Sequence, residues 1–336
     1  MRYIGVDLHT TQITVCYLKA TGEFEMKKYQ LCEIEKFISS LQQDDEIAVE
    51  ATCNTRWFYE QVNKAVKRVV LVNPRQFEVV KNSVKKTDKN DAINLARFLR
   101  ADLLPEVRAK AEAAEKVQSL VNTRTKLVRL KTSLINKIYA LYVANGRKLK
   151  KTTLASEKGL DKVLLEQWTA IERIELEIIL EQIRSLKVSI GKLDKAVKEE
   201  ASQLEGYQSL VSMAGIGSLS AGILLAVIGQ VKDFGTADKL TSYFGIVPRV
   251  SNSADSVNHG RITKRGSKTG RTTLVQCSLA AIKKSEYLKK YYEQVKARRG
   301  HGKAKIALAR KYLGIIYNTL TNGWVFRDFN NFELAE

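Results

Sequence analysis

The chain has 336 residues, enough for two or three domains, and 44% of them are hydrophobic, so most of the chain should fold. Lysine and arginine number 56 against 36 aspartate and glutamate, which gives a formal net charge of +20. This excess of positive charge favours a polyanionic partner. Nucleic acid is the first choice, and an anionic membrane surface is the alternative. No apolar run approaches the ~18 residues of a spanning helix, and "MRYIGVDLH" becomes acidic too quickly for a secretion signal. These features argue against a membrane or secreted protein.

Residues 1–108 alternate between strand and helix patterns. The β-rich runs "YIGVDL" and "ITVCYL" flank the polar "HTTQ" and predict a hairpin, and "EMKKYQL" predicts a third strand. Two further strands are predicted over "EIAVEA" and "RVVLVNP". Helical spacing occurs in three segments, "EIEKFISSLQ", "NTRWFYEQVNKAV" and "TDKNDAINLARFLRAD". This order predicts an α/β domain around a mixed sheet.

Residues 109–205 have the pattern of a helical hairpin. Apolar residues follow a three-four alternation in two seams, separated by the lysine-rich "NGRKLKKTTLASEKG". Heptad spacing is typical of a coiled coil, so we expect this region to join the subunits of a homo-oligomer, a dimer or tetramer. The alternative is a helix pair that packs on the body of its own chain. The seams are Val117, Leu120, Leu127, Leu134, Ile138 and Leu141, then Ile183, Leu186, Ile190, Leu193, Val197 and Leu204.

Residues 206–336 predict a mainly α domain. "SLVSMAGIGSLSAGILLAVIG" predicts two apolar helices around a Gly-Ile-Gly turn, similar to a helix-hairpin-helix. Gly215 and Gly217 would then let backbone N–H groups approach a phosphate. A tight turn between two core helices explains the pattern nearly as well. The polar, basic segment from "VPRVSNS" to "KRGSKTG" predicts a loop, and apolar helices follow it.

The cysteines and histidines do not have the spacing of a zinc site. The cysteines form no CxxC pair and predict reduced thiols of a cytosolic protein. A metal would therefore be a hard cation held by oxygen atoms. These residues are Cys16, Cys32, Cys53 and Cys277, with His9, His259 and His301.

Four carboxylates lie where an α/β domain gathers its ligands. Asp7 and Glu50 each end an apolar strand, and Asp88 and Asp91 share one face of a helix. Carboxylates brought together would raise one another's pKa, and divalent cations would relieve this repulsion in a site that acts on phosphodiesters. Any one of them alone is more simply a solvated surface charge, but the set predicts a site for Mg²⁺ or Mn²⁺. The lysines expected to attract phosphate there are Lys85, Lys86 and Lys89.

With these motifs in place, the chain resembles the transposases of the IS110 family, including its IS1111 branch. The resemblance rests on "YIGVDLH", "VEAT", "KTDKNDA" and "YFGIVPR…GRITKRG", which occur in the family's order over almost the whole chain. It implies an N-terminal RuvC-like, RNase H-fold domain and a second transposase domain at the C-terminus. The DEDD set of the first domain would be Asp7, Glu50, Asp88 and Asp91.

The resemblance also implies a nucleophilic serine in the C-terminal domain. In the family it lies between the "GLVPR"-like and "GR-S/T-KRG" segments, usually as Ser-Ser-Gly. The matching triplet here is Asn-Ser-Ala at 252–254, which differs from that pattern on both sides and places the nucleophile at Ser253. The alternates are Ser251 and Ser256. On composition alone, a serine in a polar loop usually has no catalytic role and serves only the conformation of the loop.

The predicted function is that of a DNA transposase or recombinase. The acids and Ser253 would form one composite active site that cleaves and exchanges DNA strands through a phosphoserine. The resemblance implies that donor and target DNA are the substrates and that a guide RNA is a partner. The expected location is the cytoplasm of a bacterial or archaeal cell, in association with the nucleoid. The rivals are a RuvC-like nuclease or junction resolvase without a covalent step, and a non-catalytic nucleic-acid-binding protein. The basic residues expected to contact phosphate, or to stabilise the charge that builds on it, are Arg249, Arg261, Lys264 and Arg265.

Overall fold

The computed structural model describes residues 1–81, 87–150, 152–253 and 256–324, without the side chains of 78–81, 251–253 and 256–259. The chain divides into two compact units, Met1–Ala109 and Lys110–Glu336. The first is an α/β unit with a mixed sheet, as the sequence predicts, and the second consists mainly of helices. Each unit has its own core.

A five-stranded sheet forms the centre of the first unit, in the order β3-β2-β1-β4-β5. The first three strands form an antiparallel meander, while β4 runs parallel to β1 and β5 runs parallel to β4. Every one of the five strands predicted from the sequence is present. They are β1 (Arg2–Leu8), β2 (Gln12–Lys19), β3 (Phe24–Gln30), β4 (Glu46–Glu50) and β5 (Arg68–Val72).

Helices pack on both faces of this sheet. On one face, Phe37 of α1 and Phe58 of α2 pack with Ile47, and on the other Phe77 of α3 and Leu95 of α4 pack under the strands. Burial on both faces explains the near-continuous apolar runs of β1 and β4. The sequence did not predict α3, because Pro74 was interpreted as the end of a strand. Proline is also common in the first turn of a helix, and here it begins α3. The helices are α1 (Ile34–Ile38), α2 (Thr55–Val62), α3 (Pro74–Lys81) and α4 (Asp88–Arg100).

The contact between α4 and β1 depends on a glycine. A Cβ atom at Gly5 would lie 2.0 Å from the carbonyl oxygen of Ala92 and 2.6 Å from the backbone nitrogen of Ala96. The helix therefore lies directly on the strand, with two alanines at the point of contact. This close approach fixes the height of α4 above β1.

Two long antiparallel helices, α5 (Glu112–Ala144) and α7 (Ala170–Ala201), begin the second unit, with the shorter α6 (Glu157–Leu165) between them. Ion pairs join the long helices, including Arg124 with Asp194. The predicted seams face inward and pack within this chain. Ile138, for example, is fully buried in a cluster with residues of α6 and α7. The seam around Ile138 is thus used inside one chain, and homo-oligomerisation stays a prediction.

The remaining helices pack around α9, whose apolar residues are almost all buried. Val117 of α5 and Val197 of α7 belong to the same core, so the regions predicted as 109–205 and 206–336 share one compact unit. The last helix, α12, is interrupted at Gly300, where φ is 76°. These helices are α8 (Tyr207–Ser212), α9 (Ser218–Ile228), α10 (Ala237–Phe244), α11 (Lys268–Ala281) and α12 (Glu286–Asn322).

The segment predicted as a loop after "VPR" forms a β-hairpin instead. Its strands are β6 (Pro248–Ser253) and β7 (Ser256–Ile262), and they pair antiparallel with an irregularity between Pro248 and Val250. The loop prediction was wrong because "PRVSNS" and "SVNHGRI" lack the apolar alternation that marks a half-buried strand.

The described part of the chain contains no helix long and apolar enough to cross a membrane. All four cysteines are free thiols. Cys16 and Cys277 are buried, whereas Cys32 and Cys53 are exposed.

Candidate active site

Two of the four predicted acids meet at the end of β1. Asp7 lies near the end of that strand, and Asp88 is the first residue of α4. His9 lies between them, with its Nε2 3.2 Å from Oδ2 of Asp7 and 3.5 Å from Oδ1 of Asp88. One ligand atom from each of these three side chains lies within 4.8 Å of the others. The arrangement therefore offers two carboxylates and an imidazole to a single cation.

Asp91 lies one turn further along α4 and is only 9% exposed. The start of the helix is set by Thr87, whose hydroxyl accepts the N–H of Asn90 at 3.2 Å and whose carbonyl accepts the N–H of Asp91 at 2.9 Å. This cap places Asp88 and Asp91 together in the first turn. The helix dipole favours negative charge at that end.

Glu50 ends β4, the strand that pairs with β1. The last pair in register is Val6 with Val49, so Asp7 and Glu50 are the next residues along two adjacent strands. Neighbouring strands lie about 4.8 Å apart, so the main chains of these two acidic residues are brought side by side.

The turn that follows Glu50 is held by hydrogen bonds. The hydroxyl of Thr55 donates to the carbonyl of Glu50 at 2.8 Å and accepts the N–H of Thr52 at 2.7 Å. The Nδ2 of Asn54 donates to the carbonyl of His9 at 3.0 Å. The ends of β4 and β1 are therefore tied together next to the acids.

The environment of Asp7 opposes its ionisation. Burial raises the pKa of this carboxyl above its ordinary value, and the negative charges of Asp88 and Asp91 raise the pKa further, while His9 lowers it. The fold therefore binds the proton of Asp7 more tightly than the unfolded chain does, and this contribution to stability is lost as the pH rises through the folded pKa. A bound cation would offset this loss.

Of the lysines expected to attract phosphate here, Lys89 is exposed on the first turn of α4. Lys85 and Lys86 lie outside the described residues. Their role in binding phosphate stays a prediction.

The backbone of the C-terminal serine region belongs to the β6–β7 hairpin. Ser253 is the last residue of β6 and pairs with Ser256, and Ser251 lies on the same strand. Arg249 of β6 and Arg261 of β7 are exposed at the other end of the hairpin. The side chains of the three serines lie outside the described part, so the nucleophile stays a prediction.

The basic turn after β7 is pressed against the end of α10. A Cβ at Gly245, where φ is +67°, would lie 2.0 Å from the carbonyl oxygen of Arg265. Nη1 of Arg271 donates to that same carbonyl at 2.9 Å and lies 3.2 Å from the carbonyl oxygens of Phe244 and Gly266. These contacts fix the backbone, while the side chains of Lys264 and Arg265 are exposed. The turn therefore exposes the positive charges of Lys264 and Arg265 on a backbone that is held in place by these contacts.

The Gly-Ile-Gly turn lies between α8 and α9. Gly215 has φ +85°, and a Cβ there would lie 2.5 Å from the carbonyl oxygen of Cys277 in α11. Gly217 is the N-cap residue of α9. Packing against α11 thus accounts for Gly215 as part of a tight turn between core helices. Phosphate binding by Gly215 and Gly217 stays a prediction.

His9 is the residue of this site that the sequence reasoning missed. No other histidine or cysteine lies at the spacing of a zinc site from His9. The available signal was its position two residues after Asp7, just beyond the end of a buried strand. A polar residue there belongs to the same sheet edge as the acid.

Comparison with known proteins agrees with this arrangement. A family model for IS110-type DEDD transposases, described as "Transposase", matches residues 4–143, and the model described as "Transposase IS116/IS110/IS902 family" matches residues 207–293. The chain is 26% identical to the transposase for insertion sequence element IS1111A of Coxiella burnetii, over 97% of this chain and 92% of that protein. It is 23% identical to the transposase for IS1328 of Yersinia enterocolitica, over 96% and 98%, and 26% identical to a probable family 20 transposase of Pseudomonas aeruginosa, over 84% and 85%. With both domain models matched in order and relatives aligned over most of both chains, this chain is a DNA transposase of the IS110/IS1111 family.

Proposed function

We propose that this transposase cleaves and exchanges the strands of donor and target DNA by a metal-dependent reaction with a phosphoserine intermediate. The observation that carries the proposal is the grouping of Asp7, His9 and Asp88 at the end of β1, in a chain of this family. Carboxylates gathered at such an edge act on phosphodiesters when divalent cations occupy them.

The residues at this edge fit a hard divalent cation, Mg²⁺ or Mn²⁺. Asp7, Glu50, Asp88 and Asp91 would hold it through carboxylate oxygens, which are the ligands that such ions prefer. Burial is the main cause of the raised pKa of Asp7; the charges of Asp88 and Asp91 add to it, and His9 opposes it. Bound there, the cation would neutralise charge on the phosphodiester and polarise it for attack.

The serine chemistry assigned to Ser253 rests on the family resemblance. Its Oγ attacks phosphorus; a new O–P bond forms while the bond to one bridging oxygen breaks, and the proton lost by serine is balanced by the one that the departing oxygen gains. A strand hydroxyl then attacks the phosphoserine, restores a phosphodiester and frees the serine. Arg261, Lys264 and Arg265 would stabilise the charge on the phosphate.

The partners proposed beyond DNA are a guide RNA and further copies of this chain. The RNA follows from the resemblance, and the net charge of +20 is compatible with it. A homo-oligomer would need a surface other than the seam around Ile138, because that residue is buried within its own chain.

The metal-site assignment is tested with Asp88→Asn in a cleavage and strand-exchange assay on labelled donor and target DNA. We expect cleavage to fall at least about 100-fold, the scale of losing one group that stabilises transition-state charge, with DNA binding unchanged. The matched control is Asp102→Asn, which removes the same charge from an 83% exposed side chain just beyond the other end of α4. Normal recombination by the Asp88→Asn protein would refute the assignment.

A RuvC-like nuclease without a covalent step is the second candidate. It is favoured by one observation: all four acids belong to the first unit, so cleavage by water would need nothing from the second. The two candidates differ in whether protein becomes joined to DNA and in whether strands are exchanged after cleavage.

A further inference from the structure

A cleft of about 1130 Å³ opens in the second unit beside the β6–β7 hairpin. Its walls are the open end of the hairpin, α10, and both segments of α12 on either side of Gly300. The volume is at the upper end of ligand pockets, which span about 300–1,000 Å³. Most of its lining residues were not singled out by the sequence.

The rim of this cleft is strongly basic. The cations that line it include Arg261 and Lys264 next to the hairpin, and Arg299 and Lys303 of α12. Within the described part of the chain, these four make no ion pair. The carboxylate found among the described lining residues, Asp238, is already paired with Arg310 at 2.8 Å. The cations among the described lining residues are Arg261, Lys264, Arg299, Lys303, Arg310 and Lys311.

The floor of the cleft is apolar and partly aromatic. Ile246 and Val295 are buried beneath it, and the ring of Tyr291 lies in its wall. The ammonium of Lys311 lies 4.6 Å from the centre of that ring and 4.8 Å from the ring of Tyr287. An apolar floor with a cationic rim matches a flat, uncharged base carried on a phosphate backbone.

We propose that this cleft binds unpaired nucleotides of a single DNA strand, with bases on the floor near Tyr291 and phosphates on Arg299 and Lys303. A duplex would present phosphates to the rim, but its stacked bases could not reach the floor. Arg261 belongs both to the cleft and to β7, the partner strand of the one that ends at Ser253. The cleft would thus hold the strand near the hairpin during exchange. This inference rests on the proposed function only for the choice of DNA as ligand.

The test is fluorescence anisotropy of the full chain with a labelled 12-nucleotide oligodeoxythymidylate, in EDTA so that no cleavage occurs. The variant Arg299→Gln/Lys303→Gln should weaken binding at least about 10-fold. The control Arg298→Gln/Lys305→Gln removes the same charge from the same helix at residues that do not line the cleft, and should weaken it about 2-fold or less. Equal losses in the two variants would mean diffuse surface attraction and would overturn the proposal.

A second measurement detects whether a base stacks on the ring of Tyr291. The fluorescence of 2-aminopurine within the oligonucleotide is quenched by stacking, so quenching should be lost in Tyr291→Ala, kept in Tyr291→Phe and kept in Tyr287→Ala. Loss of the aromatic ring should also weaken binding about 5-fold or more. Quenching unchanged in Tyr291→Ala would contradict the proposal.

Two further arms compare oligouridylate and a DNA duplex of the same length. Single-stranded DNA should bind more tightly than either, and a strong preference for RNA or duplex would overturn the assignment. Thermal melting of each variant shows that it is folded. Because no arm needs Ser253 or a metal, failure here leaves the phosphoserine proposal standing, and failure of that proposal leaves this one standing.

Discussion

At the scale of single residues, the sequence predicted that carboxylates gather at one edge of the sheet, and the structure brings Asp7 and Asp88 together there with an imidazole that was not predicted. Asp7 and Glu50 could be found because each lies at the end of a buried strand, and strand ends can be predicted from apolar runs. His9 could not be found by spacing, because its contacts to Asp7 and Asp88 depend on where α4 lies on the sheet. The position of His9 just beyond β1 indicates the edge of the sheet, but its contact with Asp88 follows only from the packing of α4.

The electrostatics of Asp7 predict a conflict between stability and function. Because burial raises the pKa of Asp7 in the fold, its ionised carboxylate is less favourable in the folded chain than in the unfolded chain. Asp7→Asn should therefore raise the melting temperature at pH 7 in EDTA, by about 1–3 °C. The gain should vanish as the pH falls below about 3.8, where the carboxyl is protonated in both states.

The same variant tests the metal site by differential scanning fluorimetry. Mn²⁺ at ten times its dissociation constant would stabilise the unaltered chain by about 1.4 kcal/mol, and Asp7→Asn should lose most of that shift. The control is Asp44→Asn, an exposed carboxylate elsewhere in the unit. An equal response to Mn²⁺ in all three proteins would place the ion elsewhere.

At the scale of elements, the sequence predicted all five strands of the sheet but missed the β6–β7 hairpin and α3. Strands β1, β2, β4 and β5 carry apolar runs that are largely buried, whereas β3 is a mostly exposed edge strand. The hairpin β6–β7 is polar on both strands, and α3 begins at a proline that also ends strands. Periodicity also could not decide between a seam within one chain and a seam between chains, since both bury the same residues.

Because α4 lies directly on β1 at Gly5, we predict that Gly5→Ala displaces the helix and thereby disturbs the acid site. A methyl group there would push the helix away and cost about 1–3 kcal/mol of unfolding free energy, as overpacked cores do. Cleavage activity should fall with it, because Asp88 and Asp91 move with the helix. The control is Gly191→Ala on α7, where a Cβ meets nothing within 4 Å; it should be neutral or slightly stabilising. Equal activity and stability in the two variants would show that α4 does not depend on this contact.

The outer face of α7 carries exposed apolar residues that suit pairing with a second copy. Ile171, Ile174 and Ile178 are each more than half exposed and follow heptad spacing, as in a helix–helix seam. Ile171→Glu/Ile178→Glu should therefore lower the mass measured by light scattering without lowering the melting temperature. Ile138→Glu should instead destabilise the fold, because it buries a charge. An unchanged mass in the double variant would exclude this face as the oligomer contact.

At the scale of the whole molecule, two units divide the proposed chemistry. The first carries the carboxylates, and the second carries the serine hairpin with its basic turn and cleft. Their separation in sequence explains why family motifs, and not local pattern, were needed to connect them. Composition alone predicted only the polyanionic partner, since a net charge of +20 does not distinguish a nuclease from a transposase.

The most direct test of the account is whether protein becomes covalently attached to DNA, and at which residue. A suicide DNA substrate would trap the adduct under denaturing conditions, and mass spectrometry would map the modified peptide. We predict an adduct on Ser253 that is lost in Ser253→Ala, with DNA binding retained, and that persists in Ser251→Ala and Ser256→Ala. Complete cleavage by the Ser253→Ala protein, with no adduct on any serine, would contradict the account and identify the chain as a nuclease that uses water.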